Sequence, residues 1–178
     1  MARRRAVAVV DDPYTPVIQY YRDLLSEPAP PAAVFRWEPV AIGPTWQRGQ
    51  DGLWLLPEAT LGWSVLGWVG VWMQLRKGAP WRCTPEQARF ILWWYALDEQ
   101  GDFVYRDGVL QRIKGHGKDP IGAVLCGVEA FGPSRFLEWG PDGEPVAVDV
   151  EDAWVQAAAV SLEQTKNTFR LFPRPSHG

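Results

Sequence analysis

Cysteine, histidine and methionine are nearly missing from this chain, two of each in 178 residues. Cys83 and Cys126 lie far apart with no CxxC spacing, and neither has a histidine pair beside it. That excludes a zinc site of the usual spacing and a disulfide framework, and makes a reducing compartment the default. His116 has no second histidine near it in sequence and His177 belongs to the tail, so neither reads as a metal ligand. Charge of one sign is missing too. Eighteen basic against 21 acidic residues leave a net charge of −3, which gives no global electrostatic reason to wrap nucleic acid. Arg3-Arg4-Arg5 is a short terminal run that reads as solvated. Long apolar runs are absent as well: Leu61 to Leu75 is too short to span a bilayer and includes Ser64 and Gln74. The apolar stretch after the basic opening, Ala6 to Val10, stops at Asp11-Asp12, too early for a signal peptide. A cytoplasmic protein without membrane contact is expected.

What the chain has in plenty is tryptophan, eleven in all, and proline, sixteen. Aromatic residues at that density imply a rigid core or a contact surface. The prolines crowd between Asp12 and Gly52, as in Glu27-Pro-Ala-Pro-Pro31, and remove amide donors there, so residues 1–52 are expected to form an extended Pro-rich arm. A helix is expected from Thr60, as N-cap, to Lys77-Gly78, with Leu61, Val65, Trp68, Trp72 and Leu75 on a core-facing stripe. Thr84-Pro-Glu-Gln87 is a capping box that opens a second helix, whose apolar face is Phe90, Ile91, Trp94 and Leu97.

Beyond these helices the pattern changes to strands and turns. Phe103 to Arg106 and Val109 to Arg112 flank Asp107-Gly108, a two-residue hairpin signal. The second of these strands runs into the glycine loop Lys114-Gly-His-Gly-Lys-Asp-Pro120, and a helix follows with Ile121, Val124, Leu125 and Val128 at helical spacing. A surface hairpin is expected around Pro141-Asp-Gly143, then a strand over Ala153 to Val160 and a capped helix from Ser161 through Phe169, stopped by Pro173. This order predicts an α/β fold: the front half of a P-loop NTPase sheet, preceded by two helices and the arm. A right-handed crossover would join the strands at 109–112 and 154–160. Residues 53–172 would form a partial P-loop domain and 173–178 a disordered tail.

Strand, glycine loop and helix is the setting in which successive amides and a lysine surround phosphates. Gly117-Lys118 supplies the glycine and the lysine. The loop departs twice from GxxxxGK[ST], with Arg112 in place of the first glycine and Asp119 in place of the hydroxyl residue. Two readings of Asp119 stay open. With Pro120 it makes a good N-cap and first helical residue, and as a carboxylate it can ligate Mg²⁺ directly.

Three segments taken together resemble one family: Thr84-Pro-Glu-Gln-Ala-Arg-Phe-Ile-Leu-Trp-Trp-Tyr95, Val109-Leu-Gln-Arg-Ile-Lys-Gly-His-Gly-Lys-Asp-Pro120, and Ala153-Trp-Val-Gln-Ala-Ala-Ala-Val-Ser161 with Gln164. They resemble the N-terminal ATPase region of phage terminase large subunits, particularly those of phages of actinobacteria, over about residues 35–172. The resemblance implies ATP with Mg²⁺, a motor that threads viral DNA into a procapsid, terminase small subunit and portal as partners, and a bacterial host cytoplasm. It implies Lys118 as the P-loop lysine and Lys114 as the extra basic residue facing γ-phosphate charge. Gly115, His116, Gly117 and Asp119 complete the loop, Asp119 falls at the metal position, and Gln87 would contact the adenine. As partner to Thr84 in the capping box, Gln87 also has a purely structural role open to it.

Hydrolysis further needs an acidic strand end and a carboxylate that activates water. Val7 to Asp12, Leu92 to Glu99 and Val146 to Asp152 imitate such a strand, but the first precedes the loop, the second has helical spacing and the third lies in the hairpin. None fits, and no nuclease motif is found. The expectation is a truncated motor that binds ATP. The alternatives are a non-catalytic remnant or split-gene interaction module that docks on a partner carrying the rest, and an unrelated nucleotide-binding protein.

Overall fold

The computed structural model describes residues 12–28, 43–74, 78–111 and 117–158, with Lys118 described by its backbone alone. It is a mixed α/β structure with four α-helices and one small antiparallel sheet among the described residues.

The segment expected as an extended arm contains a helix, α1, Thr15–Ser26. Its prolines do not forbid it. Pro16 stands in the first turn, where a missing N–H costs no helical bond, and the Asp12 carboxylate accepts from the Tyr14 amide (3.0 Å) and the Thr15 hydroxyl (2.7 Å). Those two bonds, the Thr15 one foremost, hold Asp12 below the usual carboxylate range. Val17, Tyr21 and Leu25, four apart, form the buried face. They meet α2, Gly62–Trp72, where a Cβ on Gly70 would fall 2.5 Å from Val17 Cγ1.

Helix α2 starts one residue later than its expected cap. Leu61 is the N-cap, and the Thr60 hydroxyl accepts from Gly62 N (2.9 Å) while donating to Leu92 O (2.6 Å). The expected stripe faces the core only in part: Leu61 and Val65 are buried and Trp68 packs against the core, but the buried face turns toward Leu66 and Val69 and away from Trp72. Val65, Leu66 and Val69 are fully buried, whereas Trp72 is 58% exposed. A helix apolar all round leaves its stripe undecided by local pattern, and neighbouring helices choose the face. Leu75 and Lys77 lie outside the described residues.

Helix α3, Pro85–Trp94, has the expected capping box: Gln87 N donates to Thr84 Oγ1 and Thr84 N to Gln87 Oε1. It buries Ala88, Ile91 and Leu92. It also buries Arg89, whose Nε donates to Thr45 O and whose guanidinium lies 4.1 Å from the Trp54 ring centre. The expected hairpin about Asp107-Gly108 is replaced by a turn earlier in the chain. Asp98 Oδ1 accepts from Gln100 N and Asp102 N, Gly101 takes φ +85°, and Leu97 bridges Phe103. Gly108 instead lies against the Trp94 ring, where a Cβ would come within 2.5 Å of Cζ3. Packing thus claims the glycine that the local signal assigned to a tight turn.

Helix α4, Lys118–Phe131, buries Ile121, Val124 and Val128, as its spacing predicts. After it, β1 (Arg135–Trp139) and β2 (Pro145–Val148) pair antiparallel around Gly143, φ +81°, with a bulge between Phe136 and Glu138. This is the hairpin expected around Pro141-Asp-Gly143. Residues 153–158 form no strand, and Trp154 is 90% exposed. With 109–111 also irregular, neither expected crossover strand forms among the described residues. Arg112, the helix expected from Ser161 and the tail at 173–178 lie outside them.

Candidate functional site

The site is built where α3 and α4 begin close together. Gly117 is the N-cap of α4 and takes a left-handed conformation, φ +75°, ψ +20°, that other residues adopt at a cost. Lys118 follows at the first helical position, and the N-cap, being a glycine, contributes no side-chain bond to the helix start. Asp119 is therefore not the N-cap: it is the second helical residue, exposed, and Pro120 is the third. The chain enters the helix two residues earlier than a capping Asp119 requires, because Gly117 supplies the turn that precedes it.

Gln87 stands beside this turn. Its Oε1 is held by the Thr84 amide at 3.0 Å, which aims Nε2 at the Gly117 carbonyl, 3.4 Å away. One amide thus serves both as capping partner and as a brace for the glycine turn. The structure brings together Gln87, Gly117 and the start of α4 at Lys118 and Asp119. Lys114, Gly115, His116 and the direction of the Lys118 ammonium lie outside what is described.

Among the described residues no group of three or more His, Cys, Asp or Glu is gathered as a metal cage. Asp119 is nonetheless an oxygen donor of the kind Mg²⁺ takes, and Mg²⁺ commonly binds one or two carboxylates together with phosphate oxygens and water. The residues present fit a metal held jointly with a nucleotide, not one held by protein alone.

Two further features escaped the sequence pattern. Between α3 and α4 lies a cleft of about 320 Å³, walled by Phe90 and Trp94 on one side and Ile121, Gly122 and Leu125 on the other. Asp119 stands at its edge. Helical spacing of Phe90 and Trp94 signals an apolar face, but not what stands opposite. On the other side of α4 a larger apolar groove of about 900 Å³ is lined by Trp68, Trp72, Met73, Phe131 and Trp154, and includes Cys126. Burial, then the nearby Glu129 carboxylate, raises the Cys126 thiol pKa, which keeps it protonated and unreactive near neutrality.

Comparison with known proteins finds phage relatives. The chain is 45% identical to the "Gene 13 protein" of Mycobacterium phage L5, over 76% of this chain and 26% of that protein. It is 43% identical to the "Gene 13 protein" of Mycobacterium phage D29, over 76% of this chain and 27% of that one. The chain thus spans about a quarter of the length of these relatives. No protein-family profile and no solved structure matches it. Among the described residues no helix is long and apolar enough to cross a membrane.

Proposed function

We propose that this chain is the nucleotide-binding part of a phage terminase large subunit, holding ATP with Mg²⁺ for a motor that drives viral DNA into a procapsid. The observation that carries this reading is the turn at Gly117. A left-handed glycine leads directly into Lys118 at the start of a helix whose N-cap carries no side chain of its own, and Gln87 is bonded to the turn. Such a helix start offers N–H groups and the positive end of the helix dipole to an anion. Pro120 deletes one donor of the first turn, so the amides of Lys118 and Asp119 carry the contact, with the Lys118 and Lys114 ammonium groups supplying charge toward the outer phosphates. The exposed Asp119 carboxylate repels bare phosphate and suits Mg²⁺, so binding depends on the metal.

Kinship with phage proteins supports the viral setting, and the greater length of those relatives leaves room for the acidic strand end and nuclease segments that such a motor needs. In the complete motor, small subunit, portal and viral DNA are the partners. The second reading, a non-catalytic module docking on a partner that carries the rest, is favoured by the tryptophan groove, where Trp72, Phe131 and Trp154 are exposed.

Titration with Mg-ATP, followed by tryptophan fluorescence, tests the reading. Saturable binding without turnover is expected, weakened at least about tenfold by Lys118→Ala, the loss of one charge-assisted phosphate contact. Identical curves for both proteins would remove Lys118 from the site. Flat curves for both would leave the docking module as the better account.

A further inference from the structure

The cleft between α3 and α4 has a direction. On α3, Gln87, Phe90 and Trp94 lie at spacings of three and four, on one face. Gln87 is bonded to the glycine turn, and the two aromatic rings line the cleft further along the helix. On α4 the same order recurs: Lys118 at the turn, Asp119 at the edge, then Gly122 and Leu125 within. Both walls run about 10 Å from turn to cleft floor, seven residues at a helical rise of 1.5 Å. The space therefore extends from the phosphate end of the proposed site rather than lying apart from it.

We propose that this cleft takes the base of the bound nucleotide, stacked on the Phe90–Trp94 pair. The proposal rests on the nucleotide reading above and revises one part of what the resemblance implies. Gln87, being bonded to Thr84 and Gly117, braces the turn, and the base is held by aromatic residues one and two turns further on. The rings are tilted 36° with centres 5.6 Å apart, so they form one sloping wall. Gly108, which lines the cleft together with Leu110, lies against the Trp94 ring with room for no side chain between them, and fixes its position. Opposite, nothing lies within 4 Å of where a Gly122 Cβ would stand, so the volume is open on the α4 side. The cleft, at about 320 Å³, falls at the small end of the range that small-molecule sites occupy. Stacking on an aromatic wall accepts any base, since every base has a π-face. The site therefore discriminates little between the bases of nucleoside triphosphates, ATP and GTP included.

Calorimetric titration of the full chain with Mg-ATP, Mg-GTP and Mg-tripolyphosphate tests this. Gly122→Leu fills the open volume from a helical position that has space for it, and Trp94→Leu removes the stacking surface. Each is expected to weaken ATP and GTP about tenfold, the loss of one base-stacking contact, and to leave tripolyphosphate affinity unchanged. Lys118→Ala weakens all three ligands. If Gly122→Leu, with its fold intact by circular dichroism, binds ATP as the wild type does, the cleft is not the base site, while the Lys118 result still judges the phosphate site. If wild type binds tripolyphosphate as tightly as ATP and GTP, the base makes no contact and the proposal falls. If wild type binds none of the three, the nucleotide reading falls and takes this proposal with it.

Discussion

Gly117 concentrates three demands on one residue: a left-handed backbone, a close carbonyl contact to Gln87, and the N-cap position of α4. An alanine there costs about 1–2 kcal/mol for the left-handed conformation alone. Its Cβ would also press on Gln87 Nε2, 2.8 Å away, although a flexible amide can yield. Gly117→Ala is therefore expected to lower stability by about 1–2 kcal/mol in urea denaturation and to weaken ATP binding by disturbing the turn. Gln87→Glu separates that residue's two roles. Glutamate at this position still accepts from the Thr84 amide, as capping boxes commonly use it, but it has no donor for the Gly117 carbonyl and adds negative charge beside the phosphate end. Stability within about 1 kcal/mol of wild type, together with several-fold weaker ATP binding, is the expected pair of results. A large loss of stability with unchanged binding would reduce Gln87 to its capping role.

At the scale of elements, glycines set how closely the helices approach, and their surroundings decide the sign of a substitution. A Cβ on Gly62 of α2 would stand 2.7 Å from Leu92 Cα and 3.0 Å from Thr60 Oγ1, so it meets backbone of α3 that cannot rotate away. Alanine gains about 1 kcal/mol of helix propensity over glycine, but overpacking costs about 1–3 kcal/mol. Gly62→Ala should destabilise on balance, whereas Gly122→Ala, with nothing near, should stabilise by up to about 1 kcal/mol, both measured by chemical denaturation. These distances link residues far apart in sequence, and that is where reading from sequence stopped. The capping box at Thr84-Gln87, the apolar spacing of α4 and the turn at Asp142-Gly143 were legible, because each rests on contacts within a few residues. Helix α1 was hidden by its surrounding prolines, although Pro16 stands where a helix tolerates it. The Asp107-Gly108 hairpin signal was overridden by the Trp94 ring against Gly108. At the candidate site, the turn at Gly117 was legible from the glycine loop and the bond of Gln87 to Thr84 from its capping box. The seating of Gln87 on Gly117, thirty residues on, and the open space facing Phe90 and Trp94 were not, since no local pattern records what a helix face meets.

Across the described residues, two buried phenols tie the helices to one another, one of them beside a buried thiol. Tyr21 of α1 accepts from the Cys83 amide ahead of α3 at 2.7 Å. Tyr95, just past α3, donates to Glu129 of α4 at 2.7 Å, and Glu129 in turn receives Arg135 of β1 at 2.8 Å. Burial, ahead of every other cause, raises these groups. The Cys83 thiol is pushed up from 9.0 to about 11, the Tyr21 phenol goes well above its ordinary value, and the Tyr95 phenol rises further because it faces the Glu129 carboxylate. The unfolded chain releases these protons at ordinary values, near 9 for the thiol and near 10 for the phenols, while the folded chain keeps them. Above those values the folded state binds more protons than the unfolded state, so stability falls as pH rises, by up to about 1.4 kcal/mol per pH unit for each group. Below about pH 8.5 all three are protonated in both states, and their contribution is full and constant. The melting temperature is therefore expected to stay level for these groups up to about pH 8.5 and to drop with growing steepness from about pH 9 to 11. Tyr95→Phe keeps the ring, gives up the Glu129 bond, and should start from a lower melting temperature but decline less steeply between pH 10 and 11, because one proton fewer separates the two states. An equal slope in wild type and variant would mean that the Tyr95 phenol is not held protonated by its buried place between α3 and α4.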